Sequence, residues 1–169
     1  MTETITVTSD TVTIAAPLEL VWRVLTDFEY YPEWNRFCPS IEARLELGSP
    51  VVMKVDLGQG LQDQTEYITC VVPPGKASSG TGSGKEAGAA KITWSMENRP
   101  GDPIHADRTQ LLEPVDAEHC TYVTYDVFSG EAAEQMVEML GEQVKSGFNL
   151  CARNLKQRAE SLYAAEQAQ

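Results

Sequence analysis

From about Glu131 to its end the chain keeps one helical period. Val137, Leu140, Val144, Phe148, Cys151, Leu155 and Leu162 fall three, four or seven residues apart. That spacing puts them on one stripe of a single long helix. A helix with one apolar stripe needs one apolar surface to cover. Gly141 and Gly147 lie inside it, and each costs about 1 kcal/mol of helix stability relative to Ala. A bend, or close approach of something to the helix, is one reason to keep them; simple tolerance is the other.

The surface to be covered is written upstream at period two. Ile41, Ala43, Leu45 and Leu47 alternate with Ser40, Glu42, Arg44 and Glu46, which predicts a half-buried strand. Turn residues Gly48-Ser49-Pro50 follow, then a strand over 51–57 with Met53, Val55 and Leu57 on one face. Further strands are predicted over 64–72, over 91–97 with Ile92, Trp94 and Met96 on one face, and over 104–113 and 119–129. The last two are joined by a polar turn over 114–118. Such closely spaced strands suggest an antiparallel meander. At the other end, 4–15 is rich in Thr, Val and Ile and reads as one strand. Pro17 suits a first helical turn, a short helix runs to about Leu25, and Thr26-Asp27 can stop it and cap a second. The order is strand, two short helices, about six strands, long helix. This is an α+β chain in which one long helix covers the apolar face of a curved antiparallel sheet.

Length and charge narrow the function. A chain of 169 residues predicts one domain spanning 1–169, large enough for a core with a cavity. A net charge of −12 argues against nucleic acid, which needs clustered Lys and Arg, and against an anionic membrane surface. No apolar run has the length of a membrane span. The start, MTETITVTSD, has neither a basic nor an apolar signal region. Cys38, Cys70, Cys120 and Cys151 are scattered, without CxxC or Cys/His ligand spacing. Free thiols in a reducing, cytoplasmic setting and no metal are therefore expected. The stretch 74–90, rich in Gly, Ser and Lys, reads as a surface loop, free or acting as a lid. Gly84-Lys85-Glu86 lacks the hydroxyl of a phosphate-binding loop. Of the two histidines, His119 falls in a polar turn and His105 at a strand start; neither sits in a nucleophile or metalloprotease motif.

Between the first helix and the sheet lies DFEYYPEWN, an aromatic cluster around Pro32. Its rings either plug a core or line the mouth of a ligand site. Trp22, one turn into the first helix, reads as a core anchor.

Three segments carry a resemblance. TIAAPLELVWRVLTDFEYYPEWN (13–35), RTQLLEPVDAEHCTYVTYDVFSG (108–130) and GFNLCARNLKQRAESL (147–162) resemble the SRPBCC superfamily, also called START-like or Bet v 1-like. Within it they are similar to the polyketide cyclase/dehydrase and lipid-transport branch. The resemblance implies the helix-grip fold: a curved antiparallel sheet wrapped around the C-terminal helix, with a deep cavity between. It implies a hydrophobic ligand, polyketide-, terpenoid- or lipid-like, and no metal or nucleotide cofactor. Cyclisation, dehydration or isomerisation is one expectation. A carrier without turnover is the second, and a chaperone-regulating partner the third. A monomer or homodimer is expected.

On that fold Tyr30, Tyr31, Trp34, Asn35 and Phe37 would close one end of the cavity. Met53, Tyr67, Trp94, Gln110, Tyr122, Thr124 and Phe128 would line it from the sheet, and Leu140, Val144 and Phe148 from the helix. In the last hairpin Cys120, Tyr122, Thr124, Asp126 and Phe128 share one face, as do Ala106, Arg108, Gln110 and Leu112. The resemblance turns these faces inward. Asp126 then becomes an ionisable group in apolar surroundings with Arg108 as its partner, a pair able to orient a carbonyl or move a proton. If the face pointed outward, the two would be a surface pair of little worth.

Overall fold

The computed structural model describes residues 3–75 and 88–169. The expected loop or lid over 74–90 therefore falls largely outside the described residues. Eight strands form one antiparallel sheet in the order β1-β8-β7-β6-β5-β4-β3, with β2 also paired to β8. They are β1 (Ile5–Thr8), β2 (Val12–Ile14), β3 (Ser40–Glu42), β4 (Pro50–Asp56), β5 (Leu61–Val72), β6 (Ala90–Ser95), β7 (His105–Asp116) and β8 (His119–Ser129). Helix α1 (Leu18–Thr26), a 3-10 turn (Phe28–Tyr30) and α2 (Tyr31–Trp34) separate β2 from β3, and α3 (Ala133–Gln167) closes the chain. This is the helix-grip arrangement. No helix among the described residues is long and apolar enough to cross a membrane.

Three local readings change. The N-terminal strand is split at Ser9, whose amide donates to Thr124 O while its hydroxyl accepts from Thr124 N. β1 and β2 both pair with β8 on either side of that break. The strand expected over 40–47 ends at Glu42. Beyond it the backbone folds into a local turn in which the Arg44 amide donates to Ser49 Oγ, and Leu45 and Leu47 stand exposed. β7 continues through Pro114, with a register shift between Pro114 and Asp116; proline brings no N–H to a ladder, so irregular pairing there is expected. The turn shrinks to Ala117-Glu118, held by the Glu118 amide on Asp116 Oδ1.

Helix α3 divides into two halves by what lies beneath it. Phe148, Cys151, Ala152, Leu155 and Ala159 are buried at helical spacing, and this half meets α1, β1, β2 and β8. Ala159 takes the place expected for Leu162, which is exposed. Toward the N-terminus Met136, Val137 and Leu140 are only half-buried, because the helix there spans open space. Gly147 marks the join. A Cβ on it would stand 2.2 Å from Phe37 Cε1, so the ring packs directly on the helix backbone.

That contact makes a clear expectation. At an exposed helical site Gly→Ala gains about 1 kcal/mol. Gly147→Ala should instead lose stability, since overpacking a tight site costs about 1–3 kcal/mol. Denaturant unfolding of Gly147→Ala beside wild type measures the sign.

Candidate functional site

A cavity of about 420 Å³ lies between the N-terminal half of α3 and the sheet, a size suited to a small molecule. Phe37, Met53, Val55, Leu57, Trp94, Ile104, Phe128, Met136, Leu140, Val144 and Phe148 give it apolar walls. The polar groups come from the sheet: Gln62, Gln64, Thr65 and Glu66 on β5, Arg108 on β7 and Asp126 on β8.

Arg108 and Asp126 are directly opposed in the β7–β8 ladder, and both are buried. They are not joined in a salt bridge, contrary to expectation. Arg108 Nε donates to Thr124 Oγ1 at 3.0 Å, and Nη2 reaches Cys151 Sγ at 4.0 Å. Its guanidinium carbon lies 4.5 Å from the Phe148 ring centre and 5.5 Å from those of Phe37 and Trp94. Three aromatic faces and a hydroxyl hold the cation where an ion pair was anticipated. Asp126 Oδ1 has no hydrogen-bond partner. Burial pushes its carboxyl up to about 7, against the pull of Arg108.

Glu66 is the residue that sequence reasoning missed. It is half-buried as a residue, yet its Oε1 is shut off from solvent and unpartnered. Burial, reinforced by Asp126, pushes it up to about 8. Trp94 Nε1 is a third unpartnered buried atom among the residues around this cavity. No group of three or more His, Cys, Asp or Glu side chains among the described residues is placed to hold a metal.

The sequence over residues 5–160 matches the family model described as polyketide cyclase/dehydrase and lipid transport. The chain belongs to this family, within the SRPBCC superfamily. Solved structures of the same fold include an aromatase/cyclase from Streptomyces sp. R1128, at 19% identity and TM-score 0.65 over 96% of this chain and 98% of that one. A norcoclaurine synthase from Thalictrum flavum aligns at 12% identity and TM-score 0.64, again over 96% and 98%. A START superfamily protein from Mycobacterium smegmatis aligns at 16% identity and TM-score 0.63 over 94% and 98%. No curated protein matches the sequence.

The family fold brings together some of the anticipated residues and separates others. Phe37, Met53, Trp94, Arg108, Asp126, Phe128, Leu140, Val144 and Phe148 surround the cavity. Gln110, Tyr122 and Thr124 face inward but are packed beneath it: the Tyr122 hydroxyl donates to Gln110 Oε1 at 2.6 Å, and Thr124 Oγ1 donates to Thr109 O at 2.9 Å. Tyr31 is buried against Phe28 and Trp34, and its hydroxyl donates to Leu25 O. Asn35 holds the loop after α2, accepting from the Cys38 amide at 2.9 Å. Tyr30 and Trp34 border a different space, a surface groove between α1 and the end of α3. Tyr67 stands on the face of β5 opposite Glu66. His105 and His119 are engaged outside the cavity, with Arg99 O and Asp116. All four cysteines are free.

The two raised carboxyls fix a direction of pH dependence. An unfolded carboxyl titrates near pH 4. A folded one raised above that holds a proton the unfolded chain has lost, so its contribution falls as pH rises. For Asp126 the loss runs to about 7 and for Glu66 to about 8. Thermal unfolding across this range should show stability declining by several kcal/mol more in wild type than in the Glu66→Gln/Asp126→Asn double variant. Equal slopes would place both carboxylates, ionised, in contact with water.

Proposed function

We propose that this protein binds an uncharged, hydrophobic small molecule of polyketide, terpenoid or lipid character in the cavity and catalyses a cyclisation, dehydration or isomerisation of it. One observation carries the reading: an apolar, aromatic-walled cavity contains a buried carboxyl, Asp126, whose Oδ1 has no partner in the protein. An unpartnered buried carboxyl oxygen costs about 1–3 kcal/mol. Such a cost is commonly kept at functional sites. Asp126 serves as the base, and Arg108, caged close by, favours the charge on it. Membership of a polyketide cyclase/dehydrase family supports the reading, as does likeness in fold to an aromatase/cyclase and a norcoclaurine synthase. A carrier role shares the same cavity and differs only in making no use of the carboxyl.

Two substitutions separate these roles. Val144→Trp fills the cavity from α3 and should reduce by more than about tenfold the amount of small molecule that co-purifies, read by native mass spectrometry; a loss of about 1.4 kcal/mol in binding is tenfold. Asp126→Asn should leave that amount unchanged but stop conversion of the extracted compound. Conversion by Asp126→Asn at the wild-type rate would mean that another group is the base. A wild-type protein that carries the compound and never converts it would be a carrier.

A further inference from the structure

Four consecutive strands place polar side chains around the cavity: Gln62, Gln64, Thr65 and Glu66 from β5, Trp94 from β6, Arg108 from β7 and Asp126 from β8. Trp94, Arg108 and Asp126 lie on one cross-strand row with Ile68, and Glu66 is the next inward residue of β5. Arg108 is already engaged by three rings, Thr124 and Cys151. Among the lining side chains, those with a buried unpartnered atom are one N–H donor, Trp94, and two carboxyls, Glu66 and Asp126. Trp94 is 1% exposed and Asp126 9%. Among the described residues no other titratable side chain lines the cavity; α3 contributes Met136, Leu140, Val144 and Phe148, and β4 only apolar side chains.

Two carboxyls in one poorly hydrated space resist ionising together, so one keeps a proton while the other is a base. Arg108, opposite Asp126 in the ladder, favours the charge on Asp126 and leaves the proton on Glu66. We propose that Glu66 and Asp126 are an acid–base pair that enolises a ketone held in the cavity, with Trp94 Nε1–H donating to the ketone oxygen. The inference rests on the cavity reading above and adds to it a second catalytic residue and a defined step. Asp126 carboxylate removes the proton from the carbon next to the carbonyl. The pair of electrons of that C–H bond forms the new C=C bond. The carbonyl oxygen takes the proton of the Glu66 carboxylic acid and becomes the enol hydroxyl. Asp126 finishes protonated and Glu66 ionised, so the number of protons on the pair is unchanged, and the reverse step or exchange with water restores it. No oxidant or other co-reactant is consumed. An enol is the shared first intermediate of carbonyl cyclisation, double-bond migration and loss of a β-hydroxyl group, which are the reactions considered above. Burial raises both carboxyls, and Asp126 adds to the rise of Glu66.

The probe is 2-tetralone, a bicyclic, uncharged, enolisable ketone. Two readouts are taken on one sample: the shift of the Trp94 indole N–H resonance reports binding, and deuterium uptake beside the carbonyl in D₂O reports enolisation. Wild type should exceed the buffer rate, Asp126→Asn should lose about a hundredfold and Glu66→Gln about tenfold or more. Binding should change less than about twofold, well under the tenfold that 1.4 kcal/mol represents. The wild-type rate should peak near neutrality, and Glu66→Gln should lose the fall at high pH. Binding without exchange above buffer, or full exchange by Glu66→Gln, overturns the acid–base pair and leaves the cavity reading standing. An indole resonance unmoved at saturating ketone overturns the cavity reading itself. Should a variant fail to fold, a ¹³C titration of the wild-type side-chain carboxyls decides: two of them titrating near neutrality support the pair, and both titrating in the ordinary carboxylate range overturn it.

Discussion

The interior is arranged around a guanidinium with no carboxylate bound to it. Arg108 is 6% exposed, and burial alone works against its charge. It nevertheless stays protonated, as a guanidinium does throughout proteins, and Asp126 is among the groups that support its charge. Phe37, Trp94 and Phe148 supply the rest through their ring faces. Each contact of this kind is worth about 2 kcal/mol when desolvated, and three rings come from three separate parts of the chain. Phe37 follows α2, Trp94 belongs to β6 and Phe148 to α3. The cation thus ties the helix to the sheet at the level where packed core gives way to cavity.

That boundary explains the uneven burial of α3. Its C-terminal half lies on β1, β2, β8 and α1, where small residues, Ala152 and Ala159, allow close approach. At Gly147 the Phe37 ring occupies the position of the missing side chain and stacks edge-on to Phe148, 5.8 Å between centres. These two rings form the floor. Above them the helix continues without close support, and Met136, Leu140 and Val144 face open space. The glycine is needed where the backbone must come within reach of a ring, which accounts for Gly147 but not for Gly141, whose nearest neighbour is Val137 on its own helix.

How much of this was legible depends on whether the chain kept one period. In β8 the alternation holds from Cys120 to Phe128, and every second residue is buried; the period set Asp126 on one face with Tyr122 and Thr124, while only the family resemblance turned that face inward. In β5 it does not hold. The register shifts between Ile68 and Cys70, so that Val71 pairs with buried Ile92 while Ile68 pairs with buried Trp94. Two inward residues three apart mean that a bulge has exchanged the faces. Counting back from Val71 by twos reaches Tyr67, which was expected inside; counting from Ile68 reaches Glu66, which is inside. No composition signal marks the exchange, since QDQTE is polar throughout. The aromatic cluster fails for another reason. A short helix has no fixed period over four residues, and only packing decides that Tyr31 is core, Trp34 borders a surface groove and Phe37 reaches the cavity.

The same exchange of faces governs the cavity's electrostatics. With Tyr67 inside, the cavity would hold one cation and one carboxyl, Asp126, with no second carboxyl to share a proton with it. With Glu66 inside, it holds one cation and two carboxyls, and a second ionisation would leave a net negative charge in a space of about 420 Å³. Charges interact strongly at the low effective dielectric of such a site, so one proton is retained near neutrality. The site then carries no net charge despite a chain at −12. An anionic ligand would meet the remaining carboxylate and a cationic one would meet Arg108, each after losing its own hydration. An uncharged molecule meets neither cost. It finds instead a proton donor at Glu66, an acceptor at Asp126 and an N–H at Trp94, which is the set of contacts a carbonyl compound can use.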